Sequence, residues 1–299
     1  MVTEVKEGMA HWNKGSGFLT NSHTDIETIL ANHQPHIIGL SEANLKSTHD
    51  LSTVQHSDYQ LHTCPTLGNP ALRISRVVAY THKSLIDKRR DDLDDDKISA
   101  IWLEVGLPSH RKFLVCQTYR EWQHGNNQGD RASNSIPEQL NRWLTFLDQW
   151  ERALLTGMEV HCLGDMNLNH CNWTDYNIPR SNQSYKLREL ISALFTKIFP
   201  HGVTQQVTGP TRHFPGQVST GLDHYYTNRP DKMSAVQTHH CGGQTTCWSL
   251  VWETPNPFNP DQNTLEKGVT RTLILRLLSV KCSKLAGWTC ICLLMWIRL

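Results

Sequence analysis

The chain has 299 residues, and Lys+Arg 29 against Asp+Glu 28 leaves a formal net charge of only +1. That balance excludes a global basic field as the means of holding a polyanion, so nucleic acid would have to be held by a local patch or a metal ion, and the length suits one large domain or two small ones. Cys 9 is an odd count in irregular spacing, which fits reduced thiols of cytosol or nucleus better than the disulfide framework of a secreted protein.

The opening MVTEVKEGMAHW lacks the apolar core of a signal peptide. Residues 22–33 place Ile26, Ile29 and Leu30 at helical spacing behind a Ser/Thr/Asp start, which predicts a helix that Pro35 ends. The run HIIGLSEANL follows as a strand closing on polar residues. Three further strands rich in Val, Ile and aromatics are predicted over 75–82, 98–107 and 112–119. Between the first two of these, RRDDLDDD (89–96) reads as a solvated loop. Residues 137–155 carry Leu140, Trp143, Leu144, Leu147, Trp150 and Leu154 on one stripe, with proline in the first turn, and form an amphipathic helix. The segment 158–167 returns as a strand and 185–198 as another helix. This order predicts a mixed α/β sandwich, two sheets with helices outside, rather than a regular doubly wound sheet.

Apolar strands in this chain repeatedly stop on residues able to hold a cation or a phosphate. AHWNKG ends on Asn13, IIGLSEAN on Glu42 and Asn44, LVCQTYREW on Tyr119 and Arg120, and HCLGDMN on Asp165 and Asn167. Further on, Asp223 and His224 interrupt a strand-like STGLDHYYTN. One strand ending in Asp or Asn is ordinary turn chemistry. If these strands lie side by side, however, their ends converge on one cleft of carboxylates, amides and a phenol. Such a donor set suits Mg²⁺, with Mn²⁺ as its substitute, because Mg²⁺ takes one or two carboxylates, keeps waters and completes its shell with substrate phosphate. Glu42 is the candidate ligand, Asn13 and Asn167 are placed to orient a phosphate, and Asp165 to align or activate a water. Residues 209–218 (GPTRHFPGQV), with Arg212, His213 and Phe214, read by themselves as a surface turn, and Trp12 as a core residue.

The ordered set HWNKG, GLSEAN, QTYREW, GDMNLN and GPTRHFPGQVSTGLDHYYTN resembles the endonuclease/exonuclease/phosphatase superfamily over about residues 11–252. Within it the set is most similar to the endonuclease domain of non-LTR (LINE-type) retrotransposon polyproteins. The resemblance implies a DNase I-like four-layer α/β sandwich with two mixed sheets flanked by helices, and a Mg²⁺-dependent DNA endonuclease. It assigns Asn13 and Glu42 to the metal site, and Tyr119, Asp165 and Asn167 to the scissile phosphate and its attacking water. It makes Asp223 the carboxylate that orients the catalytic histidine. Arg212, Arg120 and Asn44 are the expected DNA contacts. Two alternatives stand beside this reading: a small-molecule phosphoesterase of the same fold, and a non-catalytic nucleic-acid-binding remnant. No reverse transcriptase follows, and localisation is expected to be nuclear or cytoplasmic.

The family closes with Ser-Asp-His, and here that motif is missing: after HHCGG the chain reads QTTCWSLVWE. One choice of codons for Gly-Gln-Thr-Thr-Cys-Trp-Ser reads, two bases later, as Ser-Asp-His-Met-Leu-Val. A frameshift near Gly242 or Gly243 therefore accounts for both the lost motif and the Cys/Trp-rich tail. The expected division is an endonuclease/exonuclease/phosphatase domain over 1–243 and an aberrant, poorly ordered tail over 244–299, with cleavage impaired. His239 and His240 precede the required position. The tail's apolar stretch is shorter than the ~20 residues a spanning helix needs, so no membrane partner is expected.

Overall fold

The computed structural model describes residues 6–7, 9–13, 19–22, 24, 26–27, 29–30, 35–68, 73–106, 112–120, 136–168, 182–207, 209–211, 220–232, 235–239, 247–253 and 297–298. Its strands in chain order are β1 (Lys6–Glu7), β2 (Met9–Asn13), β3 (Ile37–Lys46), β4 (Tyr59–Thr63), β5 (Ile74–His82), β6 (Ile86–Arg89) and β7 (Ala100–Gly106). They continue with β8 (Lys112–Tyr119), β9 (Glu159–Asp165), β10 (Thr204–Gln205), β11 (Asp223–Thr227), β12 (Ala235–His239), β13 (Cys247–Glu253) and β14 (Ile297–Arg298). Among the described residues the long helices are α1 (Ile136–Leu155) and α2 (Asn182–Lys197), and residues 24, 26–27 and 29–30 are also helical.

The strands build two sheets. One runs β1-β14-β13-β2-β3-β5-β4 with β12 on β13, and the other runs β10-β11-β9-β8-β7-β6. Each has a parallel pair near its middle, β2 with β3 and β8 with β9, flanked by antiparallel pairs, and at the edge of the first sheet β13 and β14 are parallel again. Strand side chains alternate between faces, and the burial follows that period. From β2, Met9 enters the core between the sheets, with Ile37, Val77, Leu103, Val115 and Leu163. Its neighbour Ala10 faces outward, where Ile26, Ile29 and Leu30 cover the first sheet by packing with its Trp12 and Leu40. On the far side of the second sheet, Trp102, Leu114, Cys116 and Val160 are covered by Trp143, Phe146, Leu147 and Trp150 of α1 and by Leu190, Ile191 and Leu194 of α2. The result is the expected four-layer α/β sandwich.

Local chemistry fixes the element ends. The first turn of α1 holds Glu138 and its last turn Arg152, each complementing the helix dipole, and the helix is followed by Gly157 in the left-handed region (φ 73). The predicted apolar stripe needs one change: Leu144 is 39% exposed, and Phe146 and Ala153 take the inward positions. The acidic run 89–96 forms a turn tied by Arg89–Asp94 and by a two-pronged Arg90–Asp92 pair, with Leu93 tucked into the core. Strands β4 and β6, short and half-polar, were not visible as sequence patterns. Pairing also continues past the expected boundary at 243. Cys247–Glu253 lies as β13 between β12 and β2, with Cys247 opposite Trp12 and Leu250 opposite Met9. The expected frameshifted tail thus contributes a strand to the first sheet at Cys247–Glu253, while 254–296 lie outside the described residues. Among the described residues no helix is long and apolar enough to cross a membrane.

Candidate active site

Along the faces that the two sheets turn toward each other, side chains change from apolar to polar in one direction. On β2 the sequence is Met9, His11, Asn13; on β3, Ile37, Gly39, Ser41; on β8, Val115, Gln117, Tyr119; on β9, Leu163 then Asp165; and on β11, Tyr225 then Asp223. Pairing aligns these ends. Asn13 is opposite Ser41, Tyr119 opposite Asp165, and Asp165 opposite Asp223. The strand ends therefore meet at one lip, as the sequence predicted.

Asp165 sits at the middle of that lip and is only 2% exposed. Asn13 Nδ2 donates to its Oδ2 at 2.8 Å, across the gap between the sheets. The Asn167 backbone N–H donates to its Oδ1 at 2.9 Å, in the local turn that Asp favours. Both carboxylate oxygens thus carry a donor, which fixes the carboxylate plane. Gly164, just before it, lets β9 approach β8 closely: a Cβ there would lie 1.9 Å from the Thr118 carbonyl oxygen.

Glu42 reaches the lip by a different device. The β3–β5 register shifts between Ser41 and Leu45, and within this irregularity Glu42 and Asn44 have φ of 58 and 52. Left-handed backbone is uncommon for a residue other than glycine, and costs of order 1 kcal/mol or more for a glutamate. A bulge of this kind re-aims a side chain, and here it leaves the Glu42 carboxylate half-buried, accepting from the Tyr119 hydroxyl at 3.4 Å. Asn167, with φ 48, is a third positive-φ site residue. Asn44 Oδ1 accepts from the Arg76 guanidinium on β5, which anchors its side chain at the rim.

Arg120 was expected on DNA. Instead its guanidinium turns inward, donating from Nε to the Met166 carbonyl at 2.6 Å and from Nη2 to the Asn167 carbonyl at 2.7 Å. Asn167 Nδ2 returns a bond to the Arg120 carbonyl at 2.8 Å. Arg120 is 8% exposed, and burial lowers its pKa to about 10. It clamps the loop that carries Asn167, a role its strand-end position did not reveal. Arg212 lies outside the described residues.

His224 is adjacent to Asp223 but alternation sends it to the opposite face, where its Nδ1 meets the Tyr226 hydroxyl at 2.9 Å and its Nε2 the Gly221 carbonyl at 3.2 Å. Among the described residues the histidine that meets Asp223 is His11, Nε2 to Oδ1 at 3.2 Å. Sequence reading missed His11. The available signal was its position two residues before Asn13, hence on the same face.

Burial lowers the pKa of both His224 and His36 to about 4 from 6.5. Unfolded, each imidazole takes up a proton near pH 6.5, whereas the folded chain resists until about pH 4. The stability from keeping them neutral is therefore complete above about pH 6.5 and is lost as pH falls toward 4. A fall in melting temperature between pH 7 and pH 5 is expected. His36→Gln, measured by the same thermal scans, should flatten that dependence.

The donor set can be tested against a cation. Among the described residues no group of three or more His, Cys, Asp or Glu side chains is placed to hold a metal. What the lip offers is the half-buried Glu42 carboxylate, with the buried carboxylates of Asp165 and Asp223, amides and a phenol. That is a poor set for zinc and a suitable one for Mg²⁺, which keeps waters and shares substrate phosphate oxygens. Glu42 and Asn13 are the residues that would hold it.

A sequence model of the Endonuclease/Exonuclease/phosphatase family matches residues 11–260. The chain belongs to that family, a class of hydrolytic nucleases and phosphatases. Among solved structures it is similar to the endonuclease domain of TRAS1, a telomere-specific non-LTR retrotransposon. That match has 12% identity and a TM-score of 0.53, covering 78% of this chain and 90% of that one. It is also similar to the 3'-5' exonuclease NExo from Neisseria meningitidis (14% identity, TM-score 0.51, 78% and 91% covered). A third likeness is to the APE2 catalytic domain of Xenopus laevis (13%, 0.53, 77% and 85%). At these identities the likeness establishes the fold. No curated protein sequence matches the chain.

Proposed function

We propose that this chain is a Mg²⁺-dependent DNA endonuclease domain of retroelement origin, with cleavage reduced because the terminal Ser-Asp-His motif is absent. The observation that carries the reading is the Asp165 carboxylate, pinned at the lip by Asn13 and the Asn167 amide in the same strand-end layer as the Glu42–Tyr119 pair. A buried, oriented carboxylate of this kind can align an attacking water and accept its proton. In this reading Tyr119 and the amides of Asn13 and Asn167 hydrogen-bond non-bridging phosphate oxygens. Bound Mg²⁺ would supply positive charge against the oxygens of the phosphate. The TRAS1 likeness supports the retroelement origin, and a structural neighbour from Neisseria, bound to a product DNA hairpin, supports DNA as the substrate.

The test is nicking of supercoiled plasmid by the purified chain with Mg²⁺ and with chelator, run beside phosphate release from small phosphate esters. Slow, chelator-sensitive nicking is expected. Phosphate release from small esters without nicking would make it a phosphoesterase of the same fold. Retarded DNA migration without cleavage would make it a binding remnant.

A further inference from the structure

Beneath the lip lies a buried hydrogen-bond chain that joins both sheets. Gln117 Nε2 donates to His11 Nδ1 at 2.8 Å and to Ser41 Oγ at 3.3 Å. Ser41 Oγ in turn accepts from the Asp165 backbone N–H at 3.4 Å and donates to the Thr118 carbonyl at 3.2 Å. At the other end, His11 Nε2 meets Asp223 Oδ1 at 3.2 Å. The path from Asp223 to the Asp165 amide thus crosses β11, β2, β8, β3 and β9. Gly39 makes room for it, since a Cβ at that position would fall 1.8 Å from Gln117 Oε1.

The chemistry fixes the direction of each bond. An amide nitrogen only donates, so Nδ1 of His11 is an acceptor and the ring proton sits on Nε2, pointing at Asp223. His11 is 2% exposed with both ring nitrogens engaged, so it has no free edge for a phosphate. Asp223 is 1% exposed, and its Oδ2 is buried without a hydrogen-bond partner among the described residues. Among the described residues one side-chain bond, the one from His11, therefore holds the orientation of this carboxylate.

We propose that His11 is a positioning residue of the active site: it holds the Asp223 carboxylate from β2 and, through Gln117 and Ser41, ties it to the backbone of Asp165. The inference rests on the hydrolytic reading of the lip, and it gives Asp223 a histidine partner from the first strand of the site rather than from the end of the chain. Removing His11 leaves a buried carboxylate with no side-chain donor, free to rotate away from the lip. Losses on removing such an orienting group are typically about 10- to 100-fold.

The experiment compares wild type with His11→Leu and His11→Gln for plasmid nicking with Mg²⁺, and records imidazole nitrogen NMR spectra of the wild type and of Asp223→Asn. The expected spectrum shows His11 with its proton on Nε2 and a resonance that moves in Asp223→Asn. His11→Leu should lower kcat about 10-fold or more with KM little changed. His11→Gln, which keeps an N–H donor at that reach, should recover most of the rate whatever its melting temperature. Equal slowing by Leu and Gln, wild-type kcat in His11→Leu, or a proton on Nδ1 would each overturn the proposal. If the wild type nicks nothing, the hydrolytic reading falls. The spectra then still decide whether His11 holds Asp223.

Discussion

Glu42→Ala and Asp165→Ala are each expected to abolish Mg²⁺-dependent nicking, with losses of about 10³-fold or more. The two losses have different origins. Glu42 brings its carboxylate to the lip on left-handed backbone, φ 58, and its removal takes away the negative charge that would hold the cation. Asp165 has a donor on each oxygen, and alanine there leaves Asn13 Nδ2 and the Asn167 amide aimed at nothing while the water loses its acceptor. Deleting one member of a catalytic set commonly costs orders of magnitude in rate, and 10³-fold corresponds to about 4 kcal/mol in the barrier. Rates measured by plasmid relaxation, with thermal melts to show that each variant is folded, decide the matter. A folded Glu42→Ala or Asp165→Ala that cuts at the wild-type rate would falsify the site assignment. Glu42→Ala has a second signature: alanine at the same φ keeps the backbone cost and removes only the carboxylate, so little change in melting temperature is expected.

A gain of function is expected from writing the missing motif back. The triple substitution Gln244→Ser, Thr245→Asp and Thr246→His should raise nicking by about 10³-fold, the scale on which deleting a catalytic group lowers it. Two observations favour this. The chain enters β13 at Cys247, which is paired with Trp12, one register step from Asn13. Among the described residues Asp223 also has one buried oxygen without a hydrogen-bond partner, while His11 occupies the other. A second imidazole therefore has an acceptor without displacing the first. A folded triple variant with unchanged nicking would show that the missing motif is not what limits this chain. Sequencing the encoding nucleic acid separately tests the frameshift: codons for 243–249 that cannot read as Ser-Asp-His two bases later would exclude it.

Much of the site was legible because period-2 strands carry their chemistry at their ends. Asn13, Tyr119 and Asp165 end strands, Asp223 opens one and Glu42 sits at the irregularity within β3, and strand pairing brings them to one end of the sheets. Arg120 shows the limit of that logic. Its place after a strand suggested a residue facing DNA, but the carbonyls of Met166 and Asn167, beyond α1 and β9 along the chain, decided where its guanidinium points. Nothing local to Arg120 encodes those acceptors.

The sequence by itself determined the fold class, the helix α1, the central strands and the residues at their ends, because hydrophobic period and turn chemistry are local properties. Only the tertiary structure decided which polar side chains pair. That His11 rather than His224 meets Asp223 follows from two sheets packed face to face, which bring residues 11 and 223 within 3.2 Å and send the neighbouring His224 to the other side. It likewise decided that CWSLVWE, in the stretch expected to be poorly ordered, pairs with β2. Backbone groups on an open sheet edge require partners whatever side chains the partner strand carries.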